Sequence, residues 1–273
     1  MFPLEGQNLS GGYGSQPIIH QLNLTLRSGE WLSLVGPNGS GKSTLLKLLS
    51  NGLPVSQGIV LLEGEAIQHF SPSEVARRLS LLPQQPTIPE GLTVRELVSL
   101  GRSPHQHWWQ WQTNSSDTQK VQEALERTQL EDFSERPVAQ LSGGERQRAF
   151  LALALAQETK LLLLDEPITF LDLRYQLELL ELLKTINQEQ QLTIVTVLHD
   201  LNLAARYSDR LVLLHEGKIW ASGTAHEVLT PEHLAKVFGI EAALIETPVG
   251  LQIFPLRACG SAFLTVPPIQ IEK

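Results

Sequence analysis

The chain has 273 residues, 42% of them hydrophobic, which is enough for one substantial core or a core with a small subdomain. Its formal net charge of -8 excludes a broad electrostatic grip on nucleic acid or anionic lipid, and its single cysteine, Cys259, excludes an intrachain disulfide framework. No apolar run reaches the roughly 18 residues of a membrane helix, and the N-terminus lacks a basic start followed by an apolar signal segment. The chain is expected to be soluble, with any membrane work borrowed from a partner.

In chain order, Leu4 to Tyr13 and Ile18 to Leu26 read as two strands joined by a Gly-rich turn; Leu22, Leu24 and Leu26 alternate with polar neighbours. Trp31 to Val35 reads as a short buried strand, and Leu45, Leu46, Leu48 and Leu49 as the apolar positions of a helix. Between them lies Gly36-Pro37-Asn38-Gly39-Ser40-Gly41-Lys42-Ser43-Thr44, with the spacing G-x-x-x-x-G-K-[ST]. In that pattern the loop amides and the start of the helix turn toward phosphate oxygens, Lys42 spans the terminal phosphates, and Ser43 offers its hydroxyl to magnesium. A charge-assisted hydrogen bond contributes roughly 1.5–3 kcal/mol, so truncating Lys42 is expected to weaken nucleotide engagement or hydrolysis at least tenfold. Tyr13, upstream, has two readings: a ring that stacks on a base, or an ordinary tyrosine.

Gly58 to Leu62 reads as an edge strand, Ser71-Pro72-Ser73-Glu74 as a capped helix start, and Leu79 to Leu82 as a strand whose end presents Gln84 and Gln85. Thr93-Val94-Arg95-Glu96 is a second capping box, opening a helix through Leu100. The polar stretch from Ser103 to Ser116 holds Trp108, Trp109 and Trp111, which serve either helix packing or an apolar contact with a partner. Helices are predicted near Thr118 to Thr128 and Glu145 to Gln157, so residues 87–156 are helical between flanks that alternate strand and helix. The second flank runs Leu161 to Asp165 (strand), Leu173 to Asn187 (helix, striped by Leu173, Leu177, Leu180, Leu183 and Ile186), Leu192 to Leu198 (strand) and Leu201 to Tyr207 (helix). A hairpin over Arg210 to Ala221 and two short helices ending near Gly239 follow. Ala243 to Lys273 reads as an added hairpin or tail without a catalytic signal. Such alternation predicts an α/β chain with a largely parallel sheet.

Polar groups gather where these strands end. Leu161 to Leu164 deliver Asp165 and Glu166 to the carboxyl edge of the sheet, beside the phosphate loop. There Asp165 can support magnesium through water, and Glu166 can orient and deprotonate an attacking water. His199, after its own strand, can hydrogen-bond a terminal phosphate, and Gln84 can reach magnesium or the water through its amide. Leu141-Ser142-Gly143-Gly144-Glu145 is a second glycine-bearing turn entering a helix and also suits a phosphate. One loop already cradles that group in cis, so the second turn is expected to act on another copy's nucleotide, in a head-to-tail pair about a twofold axis.

Tyr13, the 36–44 loop, Gln84, Leu141 to Glu145, Leu164-Asp165-Glu166-Pro167, Asp172 and His199 occur in the order found in the ATP-binding-cassette (ABC) ATPases, which the chain resembles over about residues 4 to 240. The resemblance implies a P-loop NTPase fold: a RecA-like α/β core, an antiparallel β subdomain and an inserted α-helical subdomain near 87–156, with a C-terminal extension at 241–273. It implies ATP and Mg2+, with Tyr13 on the adenine, Gly36 to Thr44 with Ser142, Gly143, Gly144 and Asp172 around the nucleotide, and Ser43, Gln84 and Asp165 at the metal. Glu166, His199 and Gln84 take the catalytic roles. Partners implied are a second copy, transmembrane permease subunits and, indirectly, a periplasmic or lipoprotein substrate-binding protein, with no nucleic acid. The place of work implied is peripheral, on the cytoplasmic face of the cell membrane.

More narrowly, Leu81-Leu82-Pro83-Gln84, Gly91 to Val98, Gly101-Arg102-Ser103-Pro104-His105 and Ala156-Gln157-Glu158-Thr159 resemble ATPase subunits of ferric-siderophore importers, with heme and cobalamin importers as close relatives. Ile168 departs from the usual threonine after Asp-Glu-Pro and Phe170 from a more polar position; neither removes a phosphate ligand. Competing readings are a soluble ABC ATPase working on nucleic acid or ribosomes, against which the acidic charge stands, and a non-hydrolysing interaction subunit, against which the complete catalytic set stands.

Overall fold

A computed structural model describes residues 2–14, 16–87, 91–106, 115–169 and 171–260. β1 (Leu4–Tyr13) buries Leu4 and Leu9, and β2 (Gln16–Thr25), with Leu22 and Leu24 in alternation, pairs with it antiparallel. The all-buried β3 (Trp31–Val35) then runs into α1 (Lys42–Leu49). Next, β4 (Gln57–Leu62) pairs with the free side of β1, and β5 (Glu65–Ala66) with β4. The expectation of an edge strand at 58–62 is thereby corrected. Glu63 and Gly64 both adopt left-handed dihedrals (φ 53° and 82°), so the chain doubles back and the two-residue β5 takes the edge.

A capping box at Ser71 with Pro72 in the first turn starts α2 (Pro72–Ala76), followed by β6 (Leu79–Leu82). Between β6 and β7 the described chain is helical. It comprises α3 (Val94–Ser99), capped by Thr93 and Glu96, a tight turn over Leu100–His105, α4 (Ser115–Arg127) and α5 (Gly143–Ala156). Trp108, Trp109, Trp111 and Phe170 lie outside the described residues.

The chain re-enters the sheet through β7 (Leu161–Asp165), α6 (Leu173–Gln190), β8 (Thr193–Val197), α7 (Leu201–Tyr207), β9 (Arg210–His215) and β10 (Lys218–Gly223). The six-stranded sheet has the order β10-β9-β3-β8-β7-β6, and all its neighbours are parallel except β9 and β10. Strands buried on both faces explain the unbroken apolar runs. Trp31, Leu162, Leu164, Leu211 and Leu213 join the core shared with α5, α6 and α7; Leu32, Leu34, Leu161, Leu163, Val212 and Leu214 join the one shared with α1 and the antiparallel sheet. Leu173 does not belong to the core stripe of α6: it is 67% exposed at the first turn, before the helix meets the sheet, and Leu179, Leu180, Leu183 and Ile186 carry the packing.

Two short helices, α8 (Ala225–Val228) and α9 (Pro231–His233), and a wide turn to Gly239 lead to an antiparallel hairpin of β11 (Ile240–Thr247) and β12 (Gly250–Ala258). Leu251 and Ile253 bury one face of that hairpin in the larger core, beside α7.

Candidate functional site

The phosphate-type loop hangs from a rigid strand. Trp31 donates its indole N–H to the Thr196 hydroxyl at 3.0 Å, and the Ser33 and Thr196 hydroxyls lie 2.6 Å apart, so β3 is pinned to β8 by side chains as well as by its ladder. At Gly36 (φ 147°) the main chain passes so near the Leu214 carbonyl and the Ser40 hydroxyl that a Cβ has no room. Gly41 holds the left-handed conformation (φ 101°) at the start of α1 and offers no side-chain cap, which leaves the first amides of the helix without side-chain partners.

Lys42 is buried and donates to the carbonyls of Gly36 and Pro37, both at 2.9 Å. Burial pulls its ammonium below the usual lysine range, against the pull of Glu166 and Asp165 in the other direction. The Ser40 hydroxyl is buried and has no hydrogen-bond partner among the described residues. Free helix amides, an orphan hydroxyl and a cation folded back on loop carbonyls together make a cradle for an anion with several oxygens.

Strand order assembles the rest. Because β6, β7 and β8 are neighbours and β8 adjoins β3, Gln84, the Asp165–Glu166 pair and His199 emerge side by side at the sheet edge that carries the loop. Asp165 is buried and accepts from the Ser43 hydroxyl at 2.8 Å. Burial pushes its carboxyl above the usual range, and the Ser43 hydrogen bond only partly opposes that. Oε1 of Glu166 lies 2.5 Å from His199 Nε2, and Oε2 accepts from Gln84 Nε2 at 2.6 Å and from the Thr169 hydroxyl at 3.0 Å. Thr169 was not among the residues expected from sequence; the only signal there is a hydroxyl three positions past an acid, inside a proline-bearing turn.

Lys42, Ser43, Gln84, Asp165, Glu166 and His199 thus meet within one chain. The rest of the 36–44 loop belongs to the same cradle, whereas Tyr13, Ser142, Gly144 and Asp172 make contacts of their own and Gly143 lines a cavity with Gln84 and Thr169. Tyr13, half exposed at the end of β1, accepts from Lys47 Nζ at 3.1 Å. Ser142 caps α5 by accepting from the Glu145 amide, while the Glu145 carboxyl accepts from the Ser142 amide; that amide first, and then the Ser142 hydroxyl, holds the carboxyl low. Ser142 and Gly143 are exposed, and Gly144 packs under the Tyr175 ring. Among the described residues no hydrogen bond or ion pair joins Ser142, Gly143 or Gly144 to the 36–44 loop. Asp172 caps α6 by accepting from the Tyr175 amide at 3.1 Å.

Residues 19–169, more than half of the chain, match the family model described as ABC transporter. The chain belongs to the ABC transporter family. This ABC protein is 47% identical over 248 residues to the iron(3+)-hydroxamate import ATP-binding protein FhuC of Bacillus subtilis, covering 91% of this chain and 92% of that one. It is 44% identical over 247 residues to the ferric enterobactin transport ATP-binding protein FepC of Escherichia coli, covering 90% of each. In solved structures its fold is similar to that of a metal-chelate type ABC transporter in an inward-facing conformation, with a TM-score of 0.81, 30% identity and coverage of 94% and 98%. It is also similar to the dimeric ATP-binding cassette MJ0796 bound to ADP and phosphate, with a TM-score of 0.71, 28% identity and coverage of 81% and 98%. The ABC protein is therefore an ATP-hydrolysing subunit of the RecA-like P-loop fold. Among its described residues no helix is long and apolar enough to cross a membrane.

Proposed function

We propose that this ABC ATPase powers an importer of ferric siderophores, working as a head-to-tail pair of copies against a membrane permease that a substrate-binding protein supplies. The observation that carries the reading is the meeting of Gln84, Asp165, Glu166 and His199 at one sheet edge beside Lys42 and Ser43, with Ser142 and Gly143 exposed and, among the described residues, joined to the 36–44 loop by no hydrogen bond or ion pair. The cargo assignment draws on relatives named for iron(3+)-hydroxamate, ferric enterobactin and achromobactin transport. Heme is the second reading, favoured by 41% identity to the hemin import ATP-binding protein HmuV of Rhodococcus jostii; cobalamin belongs to the same set of cargo tests. Its workplace is then the cytoplasmic face of the cell membrane, with the helical segment at 87–156 turned to the permease and 241–273 as an extension.

Tyr13 stacks on the adenine, and the amides of Gly36, Pro37, Asn38, Gly39, Ser40, Gly41 and Thr44 with the Lys42 ammonium receive the phosphates. From the second copy, Ser142, Gly143, Gly144 and Asp172 complete the pocket. Two oxygen donors already hydrogen-bonded to each other, Ser43 and Asp165, fit a hard cation, and Gln84 keeps its amide oxygen free for the same ion while its N–H2 donates to Glu166. Bound there, Mg2+ would offset the phosphate charge. Glu166 accepts the proton of a water whose oxygen attacks the γ-phosphorus, the bond to the β–γ bridging oxygen breaks, and ADP leaves with that electron pair. His199 orients the γ-phosphate and Glu166, and reopening of the pair passes movement to the permease.

The test is Glu166→Gln. ATP turnover is expected to fall about 100-fold or more while ATP binding persists, and a closed dimer accumulates in size-exclusion chromatography with ATP. Parental turnover in that variant would overturn the role of Glu166. Vesicles carrying the cognate permease and binding protein, offered ferric hydroxamates, heme and cobalamin, decide the cargo.

A further inference from the structure

Glu166 stands in a conformation that residues with a Cβ seldom adopt. Its main chain is left-handed (φ 53°), and its carboxylate-bearing side chain is only 10% exposed. Something local must hold it there. An ionised carboxylate has about four acceptor positions. Here Gln84 and Thr169 fill both positions on Oε2, His199 Nε2 stands 2.5 Å from Oε1, and the open acceptor capacity is on Oε1.

The three neighbours differ in what they move with. Gln84 follows β6 and His199 follows β8, so each reaches across from a neighbouring strand, and each also serves the nucleotide in the function proposed above. Thr169 sits in the turn that Glu166 opens. Its amide donates to the Glu166 carbonyl at 3.3 Å and its hydroxyl to Glu166 Oε2 at 3.0 Å, so one residue fixes both the main chain and the side chain. Farther along, the turn is fastened by the Leu171 amide on the Ile168 carbonyl (3.3 Å) and by Gln176 Nε2 on the Leu171 carbonyl (3.0 Å). A β-branched side chain has few rotamers available, which suits a fixed donor.

We propose that Thr169 is the positioning residue for Glu166: its hydroxyl locks the carboxylate so that the unfilled acceptor position faces the attacking water, whatever Gln84 and His199 are doing. The proposal rests on the reading of Glu166 as the proton acceptor. It assigns Thr169 no contact with ATP.

The experiment compares Thr169→Val, which keeps the shape and loses the hydroxyl, with Thr169→Ser, which keeps the hydroxyl, in the full-length chain. Valine is expected to lower kcat for ATP about tenfold or more with KM changed less than about twofold, and serine to recover most of the loss. Turnover by valine within about twofold of the parent, a KM that rises as much as kcat falls, or equal losses in valine and serine overturns the proposal. Should thermal melts show the valine variant unfolded, Thr169→Ala against Thr169→Ser supplies the same comparison. Glu166→Gln runs alongside: if it is inactive and valine is not, Thr169 alone is misassigned, whereas parental turnover in Glu166→Gln sinks the underlying reading of the base.

Discussion

Asp165 and Lys42 are charged groups kept out of water before any nucleotide arrives, and both are displaced toward neutrality by that burial. For Asp165 the folded value lies above the ordinary 3.8, so the native state holds a proton that the unfolded chain releases. Stability then falls as pH rises from 3.8 through the folded value. Asp165→Asn, which can still accept from Ser43, removes that loss. The nucleotide-free variant is expected to melt about 2–4 °C above the parent near pH 7 and level with it near pH 4, while losing Mg2+-dependent turnover. A gain of equal size at both pH values would mean that ionisation is not its cause. These two residues were legible in the sequence because spacing and residue type announce them: a lysine after a glycine-rich loop, acids ending an apolar strand. Thr169 was not, since its contact exists only because Glu166 turns left-handed, and no periodicity encodes that turn.

At the scale of elements, local signals read well and long-range fastenings did not. The boxes at Ser71–Glu74 and Thr93–Glu96 are visible because a cap and its partner lie three residues apart, and both formed as expected. Leu173 fits the apolar period of α6 yet stays in solvent, because periodicity says which face is apolar and not where the core begins. Two stretches with no role in the nucleotide site, Gly101 to His105 and Ala156 to Thr159, turn out to bind each other. Arg102 is buried and donates to Asp117 at 2.8 Å, to the Ala156 carbonyl at 2.6 Å and to Glu158 at 3.0 Å. Gln157 accepts from the Ser80 hydroxyl and donates to the carbonyls of Leu79 and Ala76, tying the same junction to the start of β6. Removing one partner of a buried ion pair strands the other, so Arg102→Ala is expected to lower the unfolding free energy by about 3–5 kcal/mol in urea titration. Glu158→Gln, on the exposed side of the network, should lower it by under about 1 kcal/mol. Equal losses in the two variants would show that the guanidinium does not anchor the junction.

For the whole molecule, the alternation of strands and helices foretold a parallel sheet, but not the order that seats β3 between β9 and β8. That order depends on pairings more than a hundred residues apart in sequence, such as Ser33 with Thr196, for which one chain's pattern holds no local sign. The final hairpin is a second such case. Its register and its seat became clear only in three dimensions, where Asn202 in α7 grips the main chain of β12. Asn202 Oδ1 accepts from the Ile253 amide at 2.7 Å, and its Nδ2 donates to the Ile253 carbonyl at 3.2 Å. Helix α7 begins two residues after His199 and is capped by Asp200, which accepts from the amides of Asn202 and Leu203 at 2.8 and 2.9 Å. The hairpin therefore braces the element that follows the histidine. Asn202→Ala would leave both Ile253 groups without that partner, at a cost of about 1–2 kcal/mol. Amide exchange is expected to quicken in α7 and β12 together, with ATP affinity unchanged because the phosphate loop hangs from β3 and α1. Faster exchange in β12 alone would mean that the hairpin rests on α7 without bracing it.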